Sequence, residues 1–316
     1  MPKQVPGAGA SKMNNAEVYA AITEKIIANL ETSGNWQKFW DLPSPVSLNG
    51  HFYRGINYLI LSNDQFKSRV YGTFGQIRAN GGQVRKGEKS TLIVFWKKTD
   101  TKNASTGETD SKFILRYYHI FNSEQADFDD TGKQKIAGLD KATIDRKSDQ
   151  HIPAEQIISG YKGRPEIHYA DLDISPSYSP VADLITMPSE NQYATTEDFY
   201  RILYHECAHS VGHPKRLNRF EAFQNKFGDE LYSKEELVAE LCSSFLADRA
   251  GLTQRQRNSN AYIRDWAASL RDNQKWIMWA ASRAEKAAEY ILGTEQIILD
   301  EEEVQVPELS EEVAPF

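Results

Sequence analysis

The chain is poor in cysteine: its 316 residues hold two, Cys207 and Cys242. Two thiols make no disulfide framework, which excludes the cross-linked secreted scaffolds and makes a reducing cytoplasm the expected compartment. Long hydrophobic runs are missing too, and nothing approaches the ~20 apolar residues that cross a bilayer, so no membrane partner is expected. The opening MPKQVPGAGASKMNN lacks the apolar centre of a secretory signal and is read as a flexible leader, with Met13 a candidate native start. Basic residues vanish from 300–316, where Asp300, Glu301, Glu302, Glu303, Glu308, Glu311 and Glu312 stand without a Lys or Arg. That tail alone accounts for the net charge of -7, so the rest of the chain is formally neutral and the tail is expected to be solvated and disordered.

What remains describes a soluble globular chain of about two domains, 40% hydrophobic and 26% charged. Val18, Ile22, Ile26, Ile27 and Leu30 recur at helical spacing and predict a helix over 15–33, stopped by Gly34. From Trp36 to Phe121 short apolar runs alternate with Gly and Asn turns, and the polar stretch 100–112 reads as the loop of a hairpin between strands near 91–96 and 113–121. Residues 126–158 are polar and poorly periodic and are taken as a linker region. Beyond it lie short strands near 165–170 and 183–188. Two helices follow, one capped by Thr near 195 and ended by Gly212, the other capped by Ser233 and closed at Gly251. More helix, rich in Ala and Trp, fills 260–292. The expected fold is α+β: a leader (1–14), a mixed α/β domain (15–125), the linker region (126–158), a mainly helical domain with a small sheet (159–295) and the tail (296–316).

Histidine is scarce as well, seven in all, yet three fall within YHECAHSVGH at 204–213. His205-Glu206-x-x-His209 fits the H-E-x-x-H pattern. On a helix the two histidines stand one turn apart on the same face, within reach of a single ion. Glu206 lies about 100° round the helix, placed to take a proton from water and pass it to a leaving amine. His213, at i+8, has drifted about 80° from His205 and follows Gly212, so it is read as lying outside the ligand set.

A catalytic zinc takes three protein ligands and leaves one position open. On the next helix Glu236 and Glu240 share one face beside the apolar stripe of Leu237, Val238, Leu241 and Phe245. Acids there are costly unless paired or bound to a cation. Glu236 is therefore taken as the third ligand and Glu240 as the acceptor for a ligand histidine. The arrangement resembles the gluzincin metallopeptidases, in which an E-x-x-A-E sequence on the following helix carries the ligand first; Glu240 or Glu235 as ligand stays open. Tyr232 is a candidate donor to a developing oxyanion. Zinc is the expected ion, with manganese or another divalent metal open, since two histidines and a glutamate suit several. Cys207 and Cys242 are read as small buried hydrophobes.

In the first half, Arg78, Arg85, Lys86, Lys89, Lys97 and Lys98 lie within 21 residues that hold one acid, Glu88. Trp36, Phe39, Trp40, Tyr53, Tyr58, Phe74, Phe95 and Trp96 surround them. Cations that follow a backbone, with aromatics on which bases stack, are what single-strand binding needs. Dense aromatics also build cores, and the pattern alone does not decide.

The segments NGHFYRGIN (49–57), TFGQIRANGGQVRKGEKSTLIVFWKK (73–98), YHIFNSEQ (118–125), YHECAHSVGHPKRLNR (204–219) and FGDELYSKEELVAELCSSFLA (227–247) resemble, in order, the ArdC antirestriction family of conjugative plasmids. The resemblance covers most of 15–292. It implies a single-stranded-DNA-binding domain joined to a zincin-like metallopeptidase domain, in a protein that shields incoming plasmid DNA from host type I restriction. It implies that Arg54 and Asn57, with Arg85, Lys86 and Lys89, lie at or near the DNA face. A host restriction protein or another protein is then a candidate substrate. Two other readings stand beside it: a cytoplasmic metalloprotease whose first domain selects protein substrates, and a DNA-binding protein whose metal is purely structural.

Overall fold

The computed structural model describes residues 13–33, 44–62, 64, 66–102, 109–149, 152–170, 174–219, 230–252 and 267–294. The expected leader, up to residue 12, and the acidic tail lie outside them. The first helix, α1 (Asn15–Ser33), is fixed at its start by a reciprocal cap. Asn14 Oδ1 accepts from the Ala16 and Glu17 amides, while Glu17 Oε2 accepts from Asn14 N–H. Its stripe of Val18, Ile22, Ile26 and Ile27 is buried, and the Leu30 side chain lies outside the described residues.

The N-terminal half is organised by a four-stranded sheet in the order β1-β2-β5-β4. Its strands are β1 (Val46–Ser47), β2 (Val70–Thr73), β4 (Thr91–Lys102) and β5 (Thr109–Asn122). The short strands β3 (Gly82–Val84) and β6 (Ala126–Phe128) pair beside it, and two short helices, α2 (Gly55–Ser62) and α3 (Phe74–Ala79), join in. The hairpin forms where it was expected, but its strands run further: Lys102 pairs with Thr109, so the polar residues 100–102 and 109–112 are ladder, not loop.

Residues 126–158 are not a bare linker. After β6 comes α4 (Asp130–Asp149), whose Asp140 accepts from Ser68 Oγ and Arg69 N–H at 3.1 and 2.8 Å. Ile136 and Leu139 pack on the apolar cluster around Val70 and Ile77. Helix α5 (Ala154–Gly160) then belongs to the C-terminal half, where the Ala154 carbonyl accepts from Tyr204 Oη at 3.1 Å. The polar composition of α4 hid it, because only one side touches the sheet.

The C-terminal half has a three-stranded sheet, β7 (Glu166–Ala170), β9 (Leu184–Pro188) and β8 (Ser177–Ser179) in that order, β8 antiparallel. Three long helices pack together: α6 (Thr196–Val211), α7 (Glu230–Arg249) and α8 (Trp276–Leu292). Thr195 caps α6 by accepting from Asp198 N–H at 3.1 Å. Helix α7 starts earlier than expected, at Glu230, so Ser233 sits inside it and is not its cap. Buried Ala280, Ala281, Ala284, Ala287 and Ala288 let α8 lie close against its neighbours. Cys207 and Cys242 are buried free thiols, and burial pushes Cys207 up to about 12. No described helix is long and apolar enough to cross a membrane.

Candidate metal centre and nucleic-acid face

Helices α6 and α7 bring His205, His209 and Glu236 to one point. The two imidazole Nε2 atoms are 3.1 Å apart. Glu236 reaches both, with Oε2 3.4 Å from His205 Nε2 and Oε1 3.4 Å from His209 Nε2. Donors arranged tetrahedrally at zinc bond lengths of about 2.0–2.1 Å are themselves roughly 3.4 Å apart, so the set fits a divalent ion. Each imidazole turns its other nitrogen to a carboxylate. His205 Nδ1 lies 3.6 Å from Glu240 Oε2, and His209 Nδ1 lies 3.4 Å from Glu235 Oε1. Such partners fix the ring orientation of a ligand histidine and raise its basicity.

Glu235 is itself held. Arg219 Nε donates to its Oε2 at 2.9 Å, and Arg219 Nη2 donates to its Oε1 and, at 2.7 Å, to the Ala208 carbonyl. Sequence reasoning weighed Glu235 only as an alternative ligand and missed Arg219, which lies ten residues past His209. No local spacing signals that pairing; it depends on how α7 crosses the chain leaving α6.

The electrostatics suit a cation. Burial works against charge on His205, yet Glu236, Glu240 and Glu206 outweigh it and push the imidazole up to about 10. His209 is raised against burial by Glu235 and Glu236. Burial would lift Glu236, but the two imidazoles hold it well below the usual carboxylate range.

Glu206 is buried and makes no hydrogen bond among the described residues. Near it sequence reasoning missed Tyr193, just before the cap of α6. Its ring packs edge-on against Phe199 at 5.4 Å, and its hydroxyl is buried without a partner among the described residues. Burial raises its phenol first, and the Glu206 carboxylate adds to that. An aromatic ahead of a helix cap carries no pattern that separates a place beside Glu206 from ordinary packing. Tyr232 falls in the first turn of α7, but its side chain lies outside the described residues. His213 turns away from the donor set: its Nδ1 lies 3.9 Å from Asp183 and accepts from Lys215 N–H.

The residues expected at the DNA face separate. Lys86 and Lys89 are exposed on the turn between β3 and β4. Arg85 is exposed beside them, but Glu88 and Asp127 at 3.2 and 3.3 Å share its charge. Asn57 is not on the surface. Its Nδ2 donates to the Val94 carbonyl at 2.7 Å and its Oδ1 accepts from Val94 N–H at 2.9 Å, so the amide is spent tying α2 to β4. Arg54 remains partly exposed but stands 3.9 Å from Glu289 of α8, facing the other half of the molecule. The Lys97 side chain lies outside the described residues.

Two family models match the chain: the N-terminal domain of anti-restriction factor ArdC over residues 16–121, and a zincin-like metallopeptidase over 164–283. A crystal structure of the antirestriction ArdC protein from the R388 plasmid, metal-free, is similar at 29% identity and a TM-score of 0.66. The match covers 87% of this chain and 97% of that one. The chain belongs to the ArdC family. A Mn(II)-bound structure of the same relative matches equally, at 28% identity and a TM-score of 0.66. Two Escherichia coli proteins named DNA primase TraC are 29% and 31% identical over 90% and 88% of this chain. The chain spans only 28% and 20% of their length. The uncharacterized protein y4eC of Sinorhizobium fredii is 28% identical over 87% of this chain and 91% of its own. In ArdC-family terms, the basic turn lies in the first matched domain, and both helices that carry the donor set lie in the second.

Proposed function

We propose that this ArdC-family chain is an antirestriction protein that grips single-stranded DNA with its N-terminal half and hydrolyses peptide bonds with its C-terminal half. In that role it shields incoming plasmid DNA from host type I restriction in the cytoplasm. The observation that carries the catalytic part is the set of three donor residues, the two Nε2 atoms 3.1 Å apart and each 3.4 Å from a Glu236 carboxylate oxygen, with Glu206 beside them. His205, His209 and Glu236 would hold a divalent metal, zinc or manganese. When bound, such an ion supplies Lewis acidity, polarising a carbonyl and making water acidic at neutral pH. Glu206, next to His205 in sequence and free of other hydrogen bonds among the described residues, takes the proton from the attacking water and delivers it to the departing amine. Glu240 and Glu235 keep both imidazoles aimed at the shared point. A host restriction protein is the proposed substrate, reached where the DNA is held.

The test is Glu206→Ala assayed two ways in the full chain. Metal binding should stay stoichiometric, while protection of transferred plasmid DNA in a host with type I restriction should be lost. Metal loss would remove the role given to Glu206, and undiminished protection would show that occlusion of DNA suffices. The DNA part is tested separately by salt-dependent binding to a single-stranded oligonucleotide.

A further inference from the structure

Three of the exposed large hydrophobics among the described residues, Phe95, Trp96 and Ile114, sit on one hairpin, formed by β4 and β5. At its base Ile93, Val94 and Ile120 are buried. On β4 the next two side chains, Phe95 and Trp96, are 43% and 50% exposed, while Leu115, opposite Trp96, stays buried. The register places Ile93 opposite Tyr118, Phe95 opposite Arg116 and Lys97 opposite Ile114. Side chains directly opposite share a face, about 5 Å apart, so Tyr118, Phe95, Arg116 and Ile114 form one continuous strip. Phe95 meets Tyr118 edge-to-face at 5.6 Å. Arg116 is exposed and has no ion pair or hydrogen bond among the described residues.

Exposed aromatic rings on both faces of a ribbon are costly in water, and one standing directly beside an unspent guanidinium calls for a flat, anionic partner. The basic turn adds to the charge. Gln125 Nε2 donates to the Lys89 carbonyl at 2.9 Å and Ser90 Oγ bonds His119 Nδ1 at 2.9 Å, anchoring that turn at the hairpin base. From Lys89 to Phe95 is about 20 Å at the usual rise per residue of a strand. We propose that the Phe95 face of this hairpin is a stacking platform for a single-stranded nucleic acid, with a base on Phe95 and phosphates on Arg116, Lys86 and Lys89. The proposal rests on the reading that the N-terminal half binds single strands, and it names where.

Binding of a fluorescent oligo-dT to the full chain tests it, read by anisotropy over a series of salt concentrations. Phe95→Ala should weaken binding between about five- and 150-fold, the range for losing one stacked base, with the salt slope unchanged. Arg116→Ala should weaken it and flatten the slope of log affinity against log salt by about 0.7, the value for one phosphate on a single strand. Phe95→Trp keeps a stacking face and should restore binding to near the wild-type level. Truncating a side chain this exposed leaves the core intact, and an unchanged melting temperature checks that. Wild-type affinity in both alanine variants would overturn the platform while leaving single-strand binding standing. A loss of self-association in Phe95→Ala with unchanged DNA binding would assign the strip to a second copy of the chain and equally overturn it. No salt-dependent binding by the wild type would instead bring down the underlying reading.

Discussion

Removing Glu235 separates two jobs that one carboxylate performs. Glu235 and Arg219 side chains are each 7% exposed, and Glu235 also faces His209 Nδ1 at 3.4 Å. Glu235→Met takes from the buried Arg219 guanidinium the carboxylate it donates to twice, a defect that costs about 3–5 kcal/mol when one partner of a buried pair is deleted. The metal-free protein should melt roughly 5–8 °C lower, by the entropy of unfolding of a chain of this size. In Glu235→Met/Arg219→Met both polar ends are gone and two thioethers of similar length fill the space, so most of that loss should return. The other job does not return. His209 has lost the carboxylate that orients its ring, and metal affinity should stay down about 10–100-fold in both variants, as for other outer partners of ligand histidines. Differential scanning calorimetry reads the first effect and competition for Zn2+ against a chelator reads the second. Wild-type metal affinity in the double variant would refute the orienting role of Glu235, whatever the melting temperatures show.

Metal binding should release between one and two protons near neutral pH, because the metal-free site raises His205 to about 10 and raises His209 as well. The sign follows: the protonated imidazoles stabilise the metal-free fold fully below the unfolded value of 6.5, and that contribution fades as pH rises through about 10, whereas metal affinity grows over the same range. Calorimetric heats that do not depend on the buffer's ionisation enthalpy would contradict it. A second expectation concerns Glu285 of α8, whose carboxyl burial pushes up to about 7, with Glu289 adding and Arg54 and the Gly55 N–H opposing. The fold therefore prefers the neutral form and loses stability as pH rises from 4.5 through 7, so Glu285→Gln should be on the order of 1–3 kcal/mol more stable than wild type at pH 8 and no different at pH 4. Equal denaturation midpoints at pH 8 would contradict that.

The readable part of this molecule is the part encoded at helical spacing. His205, Glu206 and His209 lie within one turn, and Glu236 and Glu240 within another, so the face each pair shares follows from 3.6 residues per turn. The pairing of those two faces is a long-range event that the sequence suggested only through the cost of placing acids beside an apolar stripe. Arg219 had no such cue. Asn57, which the family resemblance alone put near a DNA face, is buried. Its amide instead replaces a ladder partner for Val94, and nothing local distinguishes a side chain that bonds water from one that bonds a strand 37 residues away. Helix α4 was hidden by polarity, since one contact face against a sheet needs few apolar residues.

The division into two domains also takes on a different physical meaning. Separate family models match 16–121 and 164–283, yet one buried cluster runs from Val18 and Leu59 to Leu241 and Ile291. Polar contacts cross the same boundary: Thr23 Oγ1 donates to the Gln274 carbonyl at 2.6 Å, and Arg271 pairs with Glu31 at 2.7 Å. Glu285 accepts from the Gly55 N–H at the start of α2. Gly55 has φ +51°, and a Cβ there would lie 2.6 Å from the Glu285 carboxylate, so only glycine allows that approach. Helix α8 thus touches α2, which holds β4 through Asn57, and also packs on α7, which carries Glu235, Glu236 and Glu240. Cutting the chain between the halves would expose the apolar faces of α1 and α2 to water. An isolated N-terminal fragment that failed to bind DNA would then report a broken core, not an absent DNA face, which is why binding has to be measured on the whole chain.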